Sequence, residues 1–290
     1  MSGLRQEIDQ LRHEAPGPPP DPALWDEARK AEWLAQAPRA FAAQRALMVA
    51  ALGQRLARLG DALPAAGVAA ALAAMAKVAR EAFVCPWIED LAYLPMAIDI
   101  GLEQTISHPE MVAIAVAAAA PAGGRVLDVG TGSGYQAAVL AQMAAQVTSI
   151  EILAPHAAKA RQRLTALGYR NITLLCGDAG ALEAGGLAAQ PAAPPEGGRF
   201  DAIVLAAKAQ QPPANLLALL APGGRLVMPV DTPGQPQQLT CFTRQSDGSL
   251  AARALCATSY VPLTGICQDA APAPSPAMPP SMPPSMPTYT

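Results

Sequence analysis

Charge is scarce in this chain. Charged residues make up 15% of its 290 positions, against about 25% in a typical soluble domain, and the formal net charge is −3. Such a surface is poorly suited to neutralising the phosphates of DNA or RNA, so nucleic acid is excluded as a general partner. Aromatic side chains, at 4%, leave few platforms for stacking unpaired bases. The longest apolar run, Met111–Ala120, is about half of the ~20 residues that span a bilayer, which excludes a membrane helix. The five cysteines, Cys85, Cys176, Cys241, Cys256 and Cys267, form no C-x-x-C pair and have no histidine at zinc-ligand spacing, so no metal site is expected. An odd, scattered set of this kind points to reduced thiols and a cytoplasmic setting. The opening stretch Met1–Glu14 is charged and lacks an apolar segment, so it is not read as a secretory signal.

Apolar residues, at 51%, are plentiful enough for a sizeable core. Proline, at 30 residues, is about twice as frequent as the usual ~5%. It gathers in the run Pro16–Pro22, in the loop Pro191–Gly198 and after residue 271. These blocks predict an N-terminal extension with a Pro-rich spacer over 1–40, a folded domain over 41–265 and a disordered Pro/Met-rich tail over 266–290. In the N-terminal part, periodic apolar residues predict helices over Leu24–Ala37 (with Trp25 and Trp33 on the apolar side), Arg45–Gly60 and Val68–Glu81. From Pro109 onward, helices over 109–120, 135–145, 155–167 and 216–220 alternate with short apolar strands over 125–129, 147–150, 171–175, 202–205 and 225–229. That alternation predicts a doubly wound, mostly parallel α/β sheet with helices on both faces. Leu239–Thr243 and Thr258–Val261 are expected as added edge strands.

The chemistry concentrates at Val126–Tyr135, a strand, a glycine turn and a helix. Gly130, Gly132 and Gly134 allow positive φ and close approach of a ligand; with Thr131 and Ser133 between them they form a cofactor-binding loop. A dinucleotide site and an S-adenosylmethionine (SAM) site compete for it. The dinucleotide fingerprint is G-x-G-x-x-G, and G-x-G-x-G fits it poorly. Asp128, two residues before the first glycine, would repel a pyrophosphate and suits a cofactor that carries an ammonium group. Glu151 ends the next strand, where an acid can accept from ribose hydroxyls. Asp178, with Ala179, stands after the third strand, where an adenine amino group can be bound.

These residues resemble class I SAM-dependent methyltransferases, with their Rossmann-like doubly wound sheet. The segment Gln104-Thr105-Ile106-Ser107-His108-Pro109-Glu110-Met111-Val112-Ala113 narrows the resemblance to the protein-L-isoaspartate O-methyltransferase family. Arg80–Val84, Ala92-Tyr93, Phe200–Ile203 and Leu220–Val227 also fit, in the family's order, over about residues 41–262. The resemblance implies transfer of a methyl from SAM to the α-carboxylate of an L-isoaspartyl residue in a protein or peptide, which starts repair through a succinimide. It implies that Ser107 orients that carboxylate, with Thr105, Ile106, Gln104 and His108 around it. Ser107 is also placed to cap the helix opened by Pro109.

The sequence departs from the family at Pro95, where an acid is usual, at Glu103, where a glycine is usual, at Ala179 and at Asp231. Because these edits fall mainly on the substrate side, methylation of an aspartyl carboxylate in a dedicated biosynthetic peptide is a second reading. A non-catalytic scaffold that keeps the fold is a third. Among the remaining residues, His156 is read as a surface side chain, Cys85 as a buried inert thiol, and His13 has no assignable partner.

Overall fold

The computed structural model describes residues 27–265, apart from 122 and 183–198, with side chains from residue 41 onward. The Pro-rich spacer, the proline loop, the C-terminal tail, His13, Cys267 and the side chains of Trp25 and Trp33 lie outside the described residues. Two long helices come first, α1 (Glu27–Ala57) and α2 (Ala65–Lys77). α1 runs unbroken where the periodicity predicts two helices; the intervening Pro38–Gln44 is rich in alanine and sustains the helix across Pro38. A 3₁₀ turn at Arg80–Phe83 and a 3₁₀ segment over Pro86–Leu91, kinked at Ile88, lead to a hairpin of β1 (Ile98–Gly101) and β2 (Gln104–Ile106). Next come α3 (Pro109–Ala119), β3 (Arg125–Val129), α4 (Tyr135–Ala141), β4 (Gln146–Glu151), α5 (Ala154–Ala166) and β5 (Ile172–Cys176). The chain ends in β6 (Phe200–Leu205), α6 (Ala214–Ala218), β7 (Leu220–Val230), β8 (Gln238–Arg244) and β9 (Leu250–Ala257).

The sheet order is β5-β4-β3-β6-β7-β8-β9, parallel from β5 to β7 and antiparallel through β8 and β9. Side chains of the central strands divide by the two-residue period of a strand. Val126, Ala202, Val204 and Val227 enter a core shared with α1 through α5. Leu127, Val129, Ile203, Leu205, Leu226 and Met228 enter a second core with α6 and the turn at Ala179–Ala181. The apolar run of the sequence becomes α3, whose residues Val112–Ala119 are all buried. α2 reaches α3 so closely that a Cβ built on Gly67 would lie 2.2 Å from the Ala117 carbonyl oxygen, so only glycine fits this crossing. No helix among the described residues is long and apolar enough to cross a membrane.

Two elements are absent from the sequence reading. The β1–β2 hairpin is too short to show periodicity. β9 reads Leu-Ala-Ala-Arg-Ala-Leu-Cys-Ala, a composition that favours helix; backbone pairing with β8 makes it a strand. The expected strand at Thr258–Val261 is instead a connecting segment beyond β9. The chain leaves β3 outward to β4 and β5, then crosses back to place β6 beside β3. Parallel sheets open a crevice at the carboxyl ends of their strands where the order reverses in this way.

Candidate active site

The glycine loop sits at that crevice. Gly130, Gly132 and Gly134 have φ of 90°, 51° and 92°, values that side chains disfavour. The Gly130 and Thr131 amides donate to the Ile150 carbonyl at 2.9 and 3.2 Å, which ties the loop to the end of β4. Gly130 lies against Ala206, the residue after β6: a Cβ built on it would be 3.5 Å from the Ala206 methyl.

Asp128, Glu151 and Asp178 end or follow successive strands along the same edge. Asp128 is fully buried, and its carboxylate accepts from Gln136 Nε2 at 2.8 Å and Ser149 Oγ at 2.7 Å. Ser149, whose one proton goes to Asp128, in turn accepts from Thr131 Oγ1 at 2.6 Å. Burial pushes the Asp128 carboxyl up to about 6, against the hydrogen bonds from Gln136 and Ser149 and with a smaller push from the Glu151 charge. Glu151 accepts from the Gly132 amide at 2.8 Å and the Leu153 amide at 2.9 Å, so this acid holds the middle of the loop. Asp178 accepts from the Gly180 amide at 2.6 Å. Ala179 is buried, and its carbonyl receives Asn215 Nδ2 at 2.8 Å. Nothing in the sequence pattern singles out Gln136, Ser149 or Asn215, since their importance comes only from the acids and carbonyls they meet in space.

The hairpin brings the second group of residues onto this loop. Ile100 of β1 lies 3.5 Å from where a Cβ on Gly132 would be, and His156 Nε2 meets the Gly101 carbonyl at 3.1 Å. His156 is therefore not the surface residue its sequence suggests: it is 3% exposed, because the start of α5 packs under the hairpin. Gln104 is partly buried and donates to the Leu102 carbonyl at 3.4 Å, Thr105 is exposed, and Ile106 is buried in the core. Ser107 is partly buried at the end of β2. The cap of α3 is His108 rather than Ser107, since its Nδ1 accepts from the Glu110 amide at 3.1 Å. His108 also hydrogen-bonds the Pro95 backbone, and burial lowers its pKa. With one ring nitrogen accepting, the other carries the proton toward the Pro95 carbonyl. Ser107 is thereby released from capping.

Beneath Ser107 lies Arg80, fully buried. Its Nε donates to the Ala92 carbonyl at 2.7 Å and its Nη2 to the Ser107 carbonyl at 2.8 Å, while the guanidinium stacks 4.7 Å from the centre of the Tyr135 ring. The Tyr93 hydroxyl donates to Glu81 and accepts from the Arg80 amide at 3.2 Å. Segments read separately in the sequence, Arg80–Val84, Ala92-Tyr93 and Gln104–Ala113, thus form one cluster around a single cation. Cys85 is partly buried and near the Arg163 guanidinium, whose Nη1 donates to the Ser133 carbonyl at 2.7 Å.

The family model described as "Protein-L-isoaspartate(D-aspartate) O-methyltransferase" matches residues 62–268. The chain belongs to this family. It is 42% identical over 196 residues to a protein-L-isoaspartate O-methyltransferase of Gloeobacter violaceus, covering 67% of this chain and 90% of that one. It is 43% identical over 226 residues to a protein-L-isoaspartate O-methyltransferase 1 of Rhodopseudomonas palustris, covering 78% and 84%. Among solved structures, it shares the fold of a Plasmodium falciparum protein described as a putative isoaspartate methyltransferase in complex with S-adenosyl-L-homocysteine. The TM-score is 0.59 at 23% identity, covering 74% of this chain and 97% of that one. A structure described as protein-L-isoaspartate O-methyltransferase aligns with TM-score 0.62 at 22% identity, covering 78% and 67%. The fold is that of the class I methyltransferases, as the resemblance implies.

Within this isoaspartate methyltransferase family, three of the four departures meet identifiable partners or geometry. The Pro95 backbone accepts the His108 ring. Asp231 forms an ion pair with Lys208 at 2.8 Å. Glu103 carries a strained backbone: Leu102 and Glu103 turn the hairpin with φ of 55° and 58°, the left-handed pair that two-residue hairpins require and that glycine or asparagine usually supplies. That conformation costs a non-glycine residue roughly 1–2 kcal/mol, whereas glycine adds about 0.4–1 kcal/mol of unfolded-chain entropy. Glu103→Gly is therefore expected to stabilise the protein by somewhat under 1 kcal/mol, seen as a small rise in Tm. A fall in Tm would show that the Glu103 side chain contributes more than the strain it imposes.

Proposed function

We propose that this chain transfers the methyl group of SAM to the α-carboxylate of L-isoaspartyl residues in proteins and peptides. The observation that carries the reading is the hairpin in which β1 lies on the glycine loop, through Ile100 at Gly132, while pairing with β2, the start of the family-specific Gln104–Ala113 segment. The loop fits the cofactor. Three positive-φ glycines and no intervening bulk leave backbone free for close approach, and the acids along the edge suit an ammonium, ribose hydroxyls and an adenine amine.

When bound, SAM supplies an electrophilic methyl on a sulfonium. The carboxylate oxygen gains the methyl and the sulfur keeps the bonding pair, so ester and neutral thioether form with charges balanced. A carboxylate is already ionised near neutral pH, so no general base is needed. The protein's contribution is alignment, which supplies up to ~7–11 kcal/mol in well-oriented systems. In this reading the Ser107 hydroxyl donates to the substrate carboxylate, while Thr105 and Gln104 border its entrance. Ile106 and His108 set the position of Ser107 from the core and from the α3 cap. Asp128, Gly130–Gly134, Glu151, Asp178 and Ala179 hold SAM. The catalytic unit is residues 41–265. The thiols of Cys85, Cys176, Cys241 and Cys256 are all free, which supports a cytoplasmic setting.

The test is transfer of radiolabelled methyl to an isoaspartyl peptide and to the aspartyl peptide of the same sequence, with SAM binding followed by calorimetry. Label on the isoaspartyl peptide alone is expected. SAM binding without label on that peptide would overturn the substrate assignment, and absence of SAM binding would overturn the cofactor assignment.

A further inference from the structure

Ser107 lies between two regular elements and belongs to neither. The β1–β2 pairing ends at Ile106, and the backbone bonds of α3 begin with the Val112 amide on the His108 carbonyl. The Ser107 carbonyl is taken instead by Arg80 Nη2 at 2.8 Å, while Arg80 Nε donates to the Ala92 carbonyl at 2.7 Å. The same guanidinium lies over the Tyr135 ring, 4.7 Å from its centre, and Tyr135 opens α4 directly after Gly134. Tyr135 meets the Phe83 ring edge-on at 5.6 Å. Arg163, 6.0 Å from the centre of that ring, donates to the Ser133 carbonyl at 2.7 Å. A continuous stack, Arg80–Tyr135–Phe83–Arg163, thus joins the backbone of Ser107 to the backbone of the glycine loop.

Folding stability does not account for Arg80. It is fully buried, and the ion pairs among the described residues, Arg55–Glu110 and Lys208–Asp231, do not include it. Its buried Nη1 has no hydrogen-bond partner among the described residues. Burying an unpaired cation opposes folding. What a guanidinium offers in return is a planar fork, whose separate nitrogens reach two carbonyls while its face lies flat on a ring. We propose that Arg80 is a positioning residue for methyl transfer: by holding the Ser107 carbonyl while it rests on Tyr135, it sets the distance between the Ser107 hydroxyl and the glycine loop. The acceptor carboxylate is thereby placed relative to the methyl of SAM. The proposal rests on the isoaspartyl reading above. Misplacing a reacting group by about 1 Å can cost about 10²-fold in rate, so a contact to the backbone of Ser107 is enough to govern the reaction.

The experiment is a double-mutant cycle on the full chain with Arg80→Lys and Ser107→Ala. Single-turnover methyl transfer to an isoaspartyl peptide, at saturating SAM and peptide, is measured beside calorimetric SAM affinity. Arg80→Lys keeps the charge and loses the fork. It is expected to lower the rate by about 10–100-fold, with SAM affinity within about threefold of wild type. In the Ser107→Ala background the same substitution is expected to change the rate by less than about threefold, because the residue through which it acts is gone. A wild-type rate for Arg80→Lys, an equal loss in both backgrounds, or a loss of SAM affinity that accounts for the loss of rate overturns the role given to Arg80 and leaves the substrate reading intact. If Arg80→Lys does not fold, Tyr135→Leu decides. It removes the ring face under the guanidinium, and the same split is expected, with a smaller fall of about 3–10-fold on the Ser107 side. A wild-type chain that binds SAM and does not label the peptide overturns the substrate reading and this inference with it.

Discussion

Ser107→Ala is expected to lower kcat/KM for an isoaspartyl peptide by about 10²-fold, the scale of removing one preorganised donor from a reacting oxygen. SAM affinity is expected to stay the same. The separation follows from how Ser107 is held. Its carbonyl contact to Arg80 belongs to the backbone and survives the substitution. The α3 cap is made by His108 and does not depend on the lost hydroxyl. The glycine loop is ordered by Ile150, Glu151 and the Asp128 network, none of which includes Ser107. Methyl-transfer kinetics and calorimetric SAM binding on the same preparation check the two halves. A parallel fall in SAM affinity would place Ser107 in the cofactor site rather than beside the acceptor carboxylate.

Asp128→Ala should act on the other half. Its carboxylate is the shared acceptor of Gln136 and Ser149, and Ser149 links onward to Thr131 in the loop. Truncation leaves a buried amide and a buried hydroxyl without their acceptor, at about 1–3 kcal/mol per unsatisfied group. A fall in Tm on the order of 5 °C is expected for a domain of this size. SAM affinity is expected to drop by roughly 10–100-fold, since hydrogen bonds to charged groups contribute about 1.5–3 kcal/mol. Calorimetry at neutral pH reads this directly, and affinity equal to wild type would contradict the role given to Asp128.

The same residue predicts a pH effect. Burial raises the Asp128 pKa from 3.8 in an unperturbed carboxyl to about 6 in the fold. The folded apoprotein therefore holds this proton more tightly than the unfolded chain does. Its contribution to stability is fully present below about 3.8 and is lost as the pH rises through about 6. An ammonium-bearing cofactor favours the ionised carboxylate, so SAM affinity should weaken as the pH is lowered through about 6. Asp128→Asn, which keeps the shape and cannot ionise, should lose that pH dependence.

Much of the site is legible before folding. The glycine loop, the acids at successive strand ends and the Gln104–Ala113 segment all lie in contiguous stretches whose chemistry depends on neighbours in sequence. Three residues were placed differently by the structure. His156 looks like an exposed helix residue because the hairpin that covers it is distant in sequence. The α3 cap falls to His108 because its Nδ1 reaches the Glu110 amide, a geometry that sequence spacing does not reveal. Asp128 turns out to be enclosed by Gln136 and Ser149, and through Ser149 and Thr131 it organises the glycine loop. Arg80 and Tyr93 were visible only as parts of a resemblance, since a buried cation acquires its function from carbonyls that arrive from other segments.

The sequence by itself determined the parallel α/β core, the glycine loop and the family, because strand and helix periods, glycine spacing and a contiguous motif are local properties of the chain. Tertiary structure alone decided that β9 is a strand, that the hairpin lies on the glycine loop, and that Arg80 holds the Ser107 carbonyl. Each of these is a contact between residues far apart in sequence, settled by backbone pairing and by the burial of polar groups that must find partners once water is excluded.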